Sequence, residues 1–219
     1  MIRICPSILN ANFDDLPGEI EKVASTADLI HLDVMDNVFV PNFTFSPERT
    51  REIIDFSTLP IDVHLMVAEV DGKVNQYCSE NAVSMTVHFE ACQDPLQTLK
   101  NIRSLGKRAG LAIKPDTPIE VVEELLPAID MIVVMTVEPG FGGQSFMASM
   151  MPKVEKARRY LEQRKLNDVW LQIDGGISLS TIETARRAGA DTFVAGSAVY
   201  KSENPGSMVE QLRTLANNC

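Results

Sequence analysis

Ile30-His31-Leu32-Asp33-Val34-Met35-Asp36 has the apolar background of a buried strand, yet it carries a histidine and a carboxylate at i and i+2. Strand side chains alternate between faces, so His31 and Asp33 project together. Buried charge is costly unless it is paired or bound to a metal ion. Ile61-Asp62-Val63-His64-Leu65-Met66-Val67 supplies another histidine in an apolar run, and Trp170-Leu171-Gln172-Ile173-Asp174 ends in another carboxylate. His31, Asp33, His64 and Asp174, each near the end of a strand, compose one expected divalent-metal site.

Outward from these runs the chain alternates strand-like and amphipathic segments. Strands are expected at Arg3–Ile8, Asp28–Val34, Ile61–Val67, Met85–Phe89, Ala109–Ile113, Met131–Val137, Val169–Ile173 and Thr192–Ala195. Helical periodicity marks Leu16–Ala24, Val74–Glu80, Pro95–Leu105, Glu120–Leu126, Met151–Gln163, Leu179–Ala188 and the tail Ser207–Ala216. Asp94-Pro95 reads as an N-cap followed by an N1 proline, and Thr117-Pro118-Ile119-Glu120 repeats that pattern as a capping box. Gly106, Gly110 and Gly189 are expected at or just past helix ends. Strand–helix alternation with no Pro/Gly-rich linker gives a single α/β domain over residues 1–219, a (β/α)8 TIM barrel. A doubly wound open sheet is the runner-up.

The chain of 219 residues carries a formal net charge of −10, and its mean hydropathy is −0.01. Such an acidic chain argues against general nucleic-acid or anionic-membrane binding. It does not exclude a phosphorylated substrate, because clustered backbone N–H groups can hold a phosphate on an acidic protein. No apolar run approaches a membrane span. Met1-Ile2-Arg3-Ile4-Cys5-Pro6 leads straight into a strand without a signal-peptide pattern. Cys5, Cys78, Cys92 and Cys219 form no Cys-x-x-Cys pair, so reduced cysteines and a cytoplasmic location are expected. A homo-oligomer is expected, since an exposed apolar patch on such a barrel would favour one.

In a TIM barrel the chemistry sits at the C-terminal ends of the strands. Ser7, His31, Asp33, His64, Met66, His88, Met135, Asp174, Gly196 and Ser197 fall there and are expected to converge. Histidine and carboxylate ligands suit Zn²⁺, Mn²⁺, Fe²⁺ or Co²⁺, and the lack of thiolates removes the main pointer to structural zinc. If substrate lies between Asp33 and Asp174, one can remove a proton and the other return one from the opposite face, which suits a carbon acid beside a ketone. The alternative is that both aspartates are ligands only. Glycine-rich stretches follow the last three strands: Gly140-Phe141-Gly142-Gly143, Gly175-Gly176 and Gly196-Ser197. Such loops let the backbone approach an anion closely, and phosphate sites in these barrels often use the loops after strands seven and eight. Met35, Met66 and Met135 fit either core filling or an apolar wall around a planar intermediate. His88 and Glu90 read as a hydrogen-bonded layer behind the ligands, Lys114 as an ion pair or surface residue, and Arg158-Arg159 and Arg186-Arg187 as solvated helix faces.

These residues resemble the ribulose-phosphate 3-epimerase family. The matching stretches are Pro6-Ser7-Ile8-Leu9, His31 to Asp36, Phe39-Val40-Pro41-Asn42, Val63 to Val67, Val87-His88-Phe89-Glu90, Met135 to Gln144, Asp174-Gly175-Gly176 and Gly196-Ser197-Ala198. The resemblance implies a (β/α)8 barrel that interconverts D-ribulose 5-phosphate and D-xylulose 5-phosphate. It implies that His31, Asp33, His64 and Asp174 bind one divalent metal ion, and that Asp33 and Asp174 are the acid–base pair. Asp33 is usually called acceptor and Asp174 donor, and the labels swap with direction. It further implies that Ser7, His64, Gly140 to Gly143, Gly175, Gly176, Gly196 and Ser197 hold the ketose phosphate. One departure stands out: where the family often has Gly-His after Met35-Asp36, this chain has Asn37-Val38, past the ligand strand.

D-allulose-6-phosphate 3-epimerase shares most of these motifs and would act on a hexulose phosphate. A related group of phosphate-binding barrels, decarboxylases and aldolases, reads Asp-x-Lys-x-x-Asp where this chain reads His31-x-Asp33-x-x-Asp36, and without the lysine that chemistry loses its cation. A non-catalytic sugar-phosphate binding barrel is the remaining alternative, with no reason to keep two inward carboxylates beside two histidines.

Overall fold

The computed structural model describes residues 1–219. Its strands are β1 (Arg3–Pro6), β2 (Ile30–Met35), β3 (Ile61–Met66), β4 (Ala82–His88), β5 (Arg108–Ile113), β6 (Met131–Met135), β7 (Trp170–Asp174) and β8 (Thr192–Ala195). All pair in parallel, each beside its sequence neighbour from β2 to β8, and β8 pairs with β1. A bridge between Ser7 and His31 closes the circle between β1 and β2. Arg213 clamps the same seam from outside, donating to the Asp28 carboxylate at 2.8 Å while Asp28 accepts the Ile4 N–H at 2.8 Å. The result is the TIM barrel expected from the strand–helix alternation.

The register explains the interior. His31 pairs with Asp62, Asp33 with His64 and Met35 with Met66; further round, Met135 pairs with Asp174 and Gln172 with Thr192. Parallel partners point to the same side, so these residues form layers inside the barrel. The bottom is plugged by Trp170, whose ring carries the guanidinium groups of Arg3 and Arg108 at 3.9 and 4.0 Å. The alternate residues, including Ile30, Leu32, Val34, Leu65 and Ile173, face the surrounding helices in one large apolar core. No helix is long and apolar enough to cross a membrane, and all four cysteines are free.

The α-helices are α1 (Leu16–Glu21), α2 (Pro47–Phe56), α3 (Pro95–Ser104), α4 (Met151–Gln163), α5 (Ile182–Arg187), α6 (Ser197–Tyr200) and α7 (Pro205–Asn217). Asp94 caps α3 as expected, accepting the Gln97 N–H at 3.0 Å. α2 was absent from the segments singled out above, although Ser46, Pro47 and buried Thr50, Ile53 and Ile54 give it a cap, an N1 proline and an inner face.

Two expected helices are not α-helices. Val74–Glu80 forms only a 3-10 turn over Val74–Tyr77, and its preceding residue, Lys73, gives it no side-chain cap. Glu120–Leu126 breaks into short 3-10 turns, Ile119–Val122 and Leu126–Ala128. The capping box fails because the Thr117 hydroxyl is spent on Glu90, and Pro127 prevents continuation. Gly106 and Gly189 follow helices at φ +74° and +108°, but Gly110 lies inside β5, where a Cβ would sit 2.1 Å from Thr86 Oγ1. Arg158 is not solvated as expected: it donates to Gly189 O at 2.9 Å and Asp191 at 2.7 Å. Arg186 likewise donates to Ala190 O at 3.1 Å, while Arg187 keeps to the exposed face with Glu183.

Candidate active site

Four strand-borne side chains meet at the C-terminal end of the barrel. One ligand-type atom from each of His31, Asp33, His64 and Asp174 lies within 4.8 Å of all the others. His31 Nε2 is 3.3 Å from Asp33 Oδ1, 3.3 Å from His64 Nδ1 and 3.6 Å from Asp174 Oδ2. His64 Nδ1 is 3.2 Å from both Asp33 Oδ1 and Asp174 Oδ2. Donors bound at about 2.0–2.1 Å around one small cation in tetrahedral array stand roughly 3.3 Å apart. The spacing and the two-nitrogen, two-oxygen donor set therefore fit a divalent ion.

Each ligand-type residue is held from behind. His31 Nδ1 lies 2.8 Å from Asp62 Oδ2, and Asp62 in turn accepts from Ser84 Oγ at 2.6 Å and Gln172 Nε2 at 3.1 Å. Ser7 Oγ donates to Asp33 Oδ2 at 2.6 Å, leaving Oδ1 for the cluster. His64 Nε2 lies 2.9 Å from His88 Nε2, and His88 Nδ1 lies 3.3 Å from Glu90. His88 and Glu90 thus stand behind a ligand-type residue. Asp62 and Gln172, two places before His64 and Asp174, share their inward face as strand alternation requires, and the structure gives them the role of anchoring His31.

Burial alone would lower the His31 and His64 pKa values, but the Asp33 and Asp174 carboxylates outweigh it and raise both, that of His31 well above its usual value. Burial alone would raise Asp33 and Asp174, yet the two histidines hold both below the ordinary carboxylate range. Behind them, burial pushes His88 down to about 4. Glu90 resists burial through His88, Thr117 and the Lys114 N–H, and is lowered to about 2.

Above the cluster a cleft opens; Met35 and Met66 from β2 and β3 and Met135 from β6 are among the residues that line it. Ser7, Asp33 and Asp174 line it too, as do Gly140 to Gly143, Gly175, Gly176, Gly196 and Ser197. Gly176 has φ +68°, and a Cβ there would fall 2.5 Å from the Phe146 backbone. Asn10, unnoticed in the sequence, also lines the cleft; a Cβ on Gly142 or Gly196 would meet its amide at 2.6 or 2.4 Å. His64, expected to touch substrate as well as metal, is buried, with Nδ1 toward Asp33 and Nε2 toward His88. Lys114 places its ammonium 4.1 Å from the centre of the Phe39 ring. Asn37 takes φ +59°, a conformation asparagine tolerates better than most residues, which explains how it can stand where the family often has glycine.

The Ribulose-phosphate 3 epimerase family model matches residues 3–200. The chain is 38% identical over 214 residues to ribulose-phosphate 3-epimerase of Bacillus subtilis, covering 97% of this chain and 99% of that protein. It is 42% identical over 213 residues to the enzyme of that name from Mycobacterium leprae, covering 97% and 94%. Among solved structures it resembles 3-hexulose-6-phosphate synthase from Salmonella typhimurium, with a TM-score of 0.70, 16% identity and 99% of each chain covered. It also resembles N-(5'-phosphoribosyl)anthranilate isomerase from Pyrococcus furiosus, with a TM-score of 0.63, 17% identity and 100% of each chain covered. At such identities those structures speak for the barrel alone. The full-length sequence matches, together with a barrel that gathers His31, Asp33, His64 and Asp174 under one cleft, place this chain in the ribulose-phosphate 3-epimerase family.

Proposed function

We propose that this protein interconverts D-ribulose 5-phosphate and D-xylulose 5-phosphate by moving the C3 proton from one face of the sugar to the other. The observation that carries this reading is the pair Asp33 and Asp174, brought from β2 and β7 to one cleft, each with an oxygen turned to the same two imidazoles. His31 Nε2, His64 Nδ1, Asp33 and Asp174 would hold one divalent ion. When bound, such an ion supplies Lewis-acid stabilisation of the negative charge that develops on oxygen as a carbon beside a carbonyl loses its proton.

Asp33 takes the C3 proton in one direction, and Asp174 delivers one to the opposite face. In reverse the two exchange roles. Ser7 orients Asp33 by holding Oδ2, so its basic oxygen does not rotate away. The three methionines cover the flat enediolate and keep bulk water from reprotonating it unselectively. In the same cleft, the Gly143 and Gly176 N–H groups have no partner within the protein and are suited to phosphate oxygens, with Ser197 beside them. The curated relatives matched over nearly their whole length are called ribulose-phosphate 3-epimerases, which favours the pentulose over the hexulose substrate.

The test is proton NMR of D-ribulose 5-phosphate with the protein in D₂O, beside a chelated control. Deuterium at C3 with xylulose 5-phosphate appearing, both lost on chelation and restored by a divalent ion, is the expected result. Exchange that continues undiminished in a rigorously metal-free sample would overturn the metal assignment, and no exchange at all would overturn the reaction.

A further inference from the structure

The two histidines of the cluster are anchored differently. His31 Nδ1 meets the Asp62 carboxylate directly at 2.8 Å. His64 Nε2 meets no carboxylate; it faces His88 Nε2 at 2.9 Å across stacked rings 5.0 Å apart. We propose that Glu90, acting through His88, is a positioning residue that fixes the tautomer of His64 and so keeps its Nδ1 bare for a divalent cation. The proposal rests on the metal reading of the site given above.

The argument is one of proton counting along a row. A ring nitrogen that binds a cation must be unprotonated, so neutral His64 carries its proton on Nε2. That N–H has one acceptor, His88 Nε2, which must then be bare. Neutral His88 therefore carries its proton on Nδ1, which faces Glu90 Oε2 at 3.3 Å. A carboxylate only accepts, so the row has one consistent direction, from His64 to Glu90. Glu90 cannot turn away: its Oε1 accepts the Lys114 N–H at 2.8 Å and the Thr117 hydroxyl. His88 is fully buried, with Phe39 against its ring at 4.9 Å, so water does not offer it another partner.

This makes Glu90→Gln an informative change, because it keeps the shape of the side chain. The amide oxygen stays on the Lys114 N–H, and the amide NH₂ then takes the place of Oε2 and donates to His88 Nδ1. His88 must carry its proton on Nε2, and His64 must carry its own on Nδ1, the nitrogen needed for the cation. Losing the outer partner of a ligating histidine typically costs about 10–100-fold in metal affinity.

The experiment has two arms on the full chain. Co²⁺ is titrated into metal-free wild type and E90Q and followed by visible absorption, while histidine tautomers are read by ¹⁵N NMR in Zn²⁺-loaded wild type. Expected are binding weakened about 10–100-fold in E90Q, and, in wild type, His64 protonated at Nε2 with His88 protonated at Nδ1. Equal Co²⁺ affinity in folded E90Q, or a wild-type His88 protonated at Nε2, overturns the proposal. If E90Q does not fold, the wild-type tautomers still decide. Failure of wild type to bind either ion overturns the metal reading itself, a result that does not involve the variant. A purely structural Glu90 would lower the melting temperature of the variant and leave its Co²⁺ affinity unmoved.

Discussion

Ser7 Oγ donates to Asp33 Oδ2 at 2.6 Å, across the seam where β1 meets β2. The same oxygen accepts the Leu9 N–H at 3.2 Å and caps the turn that follows. One hydroxyl thus ties barrel closure to the orientation of the proposed base. Ser7→Ala frees Asp33 to rotate and removes a hydrogen bond to a charged group, worth about 1.5–3 kcal/mol. The expected outcome is a fall of about 10–100-fold in kcat/KM, since each 1.4 kcal/mol is tenfold. Steady-state kinetics on ribulose 5-phosphate check this, and unchanged kcat/KM would remove Ser7 from the machinery.

Asp33 and Asp174 are expected to be separately indispensable, because each serves one face of the substrate. Asp33→Asn and Asp174→Asn should each lower turnover by about 10²–10⁴-fold, the usual contribution of a positioned acid or base. The fold should survive, since asparagine matches aspartate in size and shape at both positions of the barrel interior. Isotope exchange in D₂O separates the roles: a variant that retains one base can wash out the proton that base handles while failing to epimerise. Near-native turnover in either variant would sink the two-base mechanism, and circular dichroism guards against simple unfolding.

Periodicity was enough to place all eight strands, because apolar runs bounded by turns register directly in the side-chain pattern. The cluster was legible for the same reason: His31 with Asp33, His64 and Asp174 are ionisable residues at strand ends in otherwise apolar runs. What could not be read is what depends on neighbours distant in sequence. Thr117 has the look of a helix cap and instead bonds Glu90, which sits 27 residues away. Asp62 anchors His31 only because β2 and β3 pair in register. His88 reaches the outer nitrogen of His64 only because β4 lies beside β3.

The histidines make stability depend on pH in a way that a bound cation should reverse. In the metal-free protein the His31 and His64 values are raised above their usual 6.5, burial being outweighed by the aspartates. A raised folded value gives stability that is complete below 6.5, the unfolded value, and is lost as pH rises through the folded one. Asp33 behaves oppositely: its lowered value gives stability present above 3.8 and lost as pH falls through the folded value. The metal-free melting temperature should therefore fall between pH 6.5 and alkaline pH. The metal-loaded protein should gain stability over that interval, because fewer protons compete for the ligand nitrogens. Thermal unfolding of chelated and loaded samples from pH 5 to 9 tests both signs; parallel curves would mean that the histidines are not the cation ligands.

The phosphate end is tested by two glycines that differ in surroundings. Both have positive φ, +68° at Gly176 and +74° at Gly143. A Cβ on Gly176 would strike the Phe146 backbone at 2.5 Å, whereas one on Gly143 meets nothing nearer than Ser197 Cβ at 4.0 Å. Gly176→Ala should therefore displace a loop and lower the melting temperature, on top of the roughly 1 kcal/mol that a non-glycine residue loses at such a φ. Gly143→Ala should cost only about that 1 kcal/mol in stability while setting a methyl group beside Ser197. If Gly143 and Ser197 grip the phosphate equally in ground and transition states, Gly143→Ala and Ser197→Ala should each raise KM more than they lower kcat. A variant that loses kcat at unchanged KM would place its residue nearer the proton transfer than the phosphate.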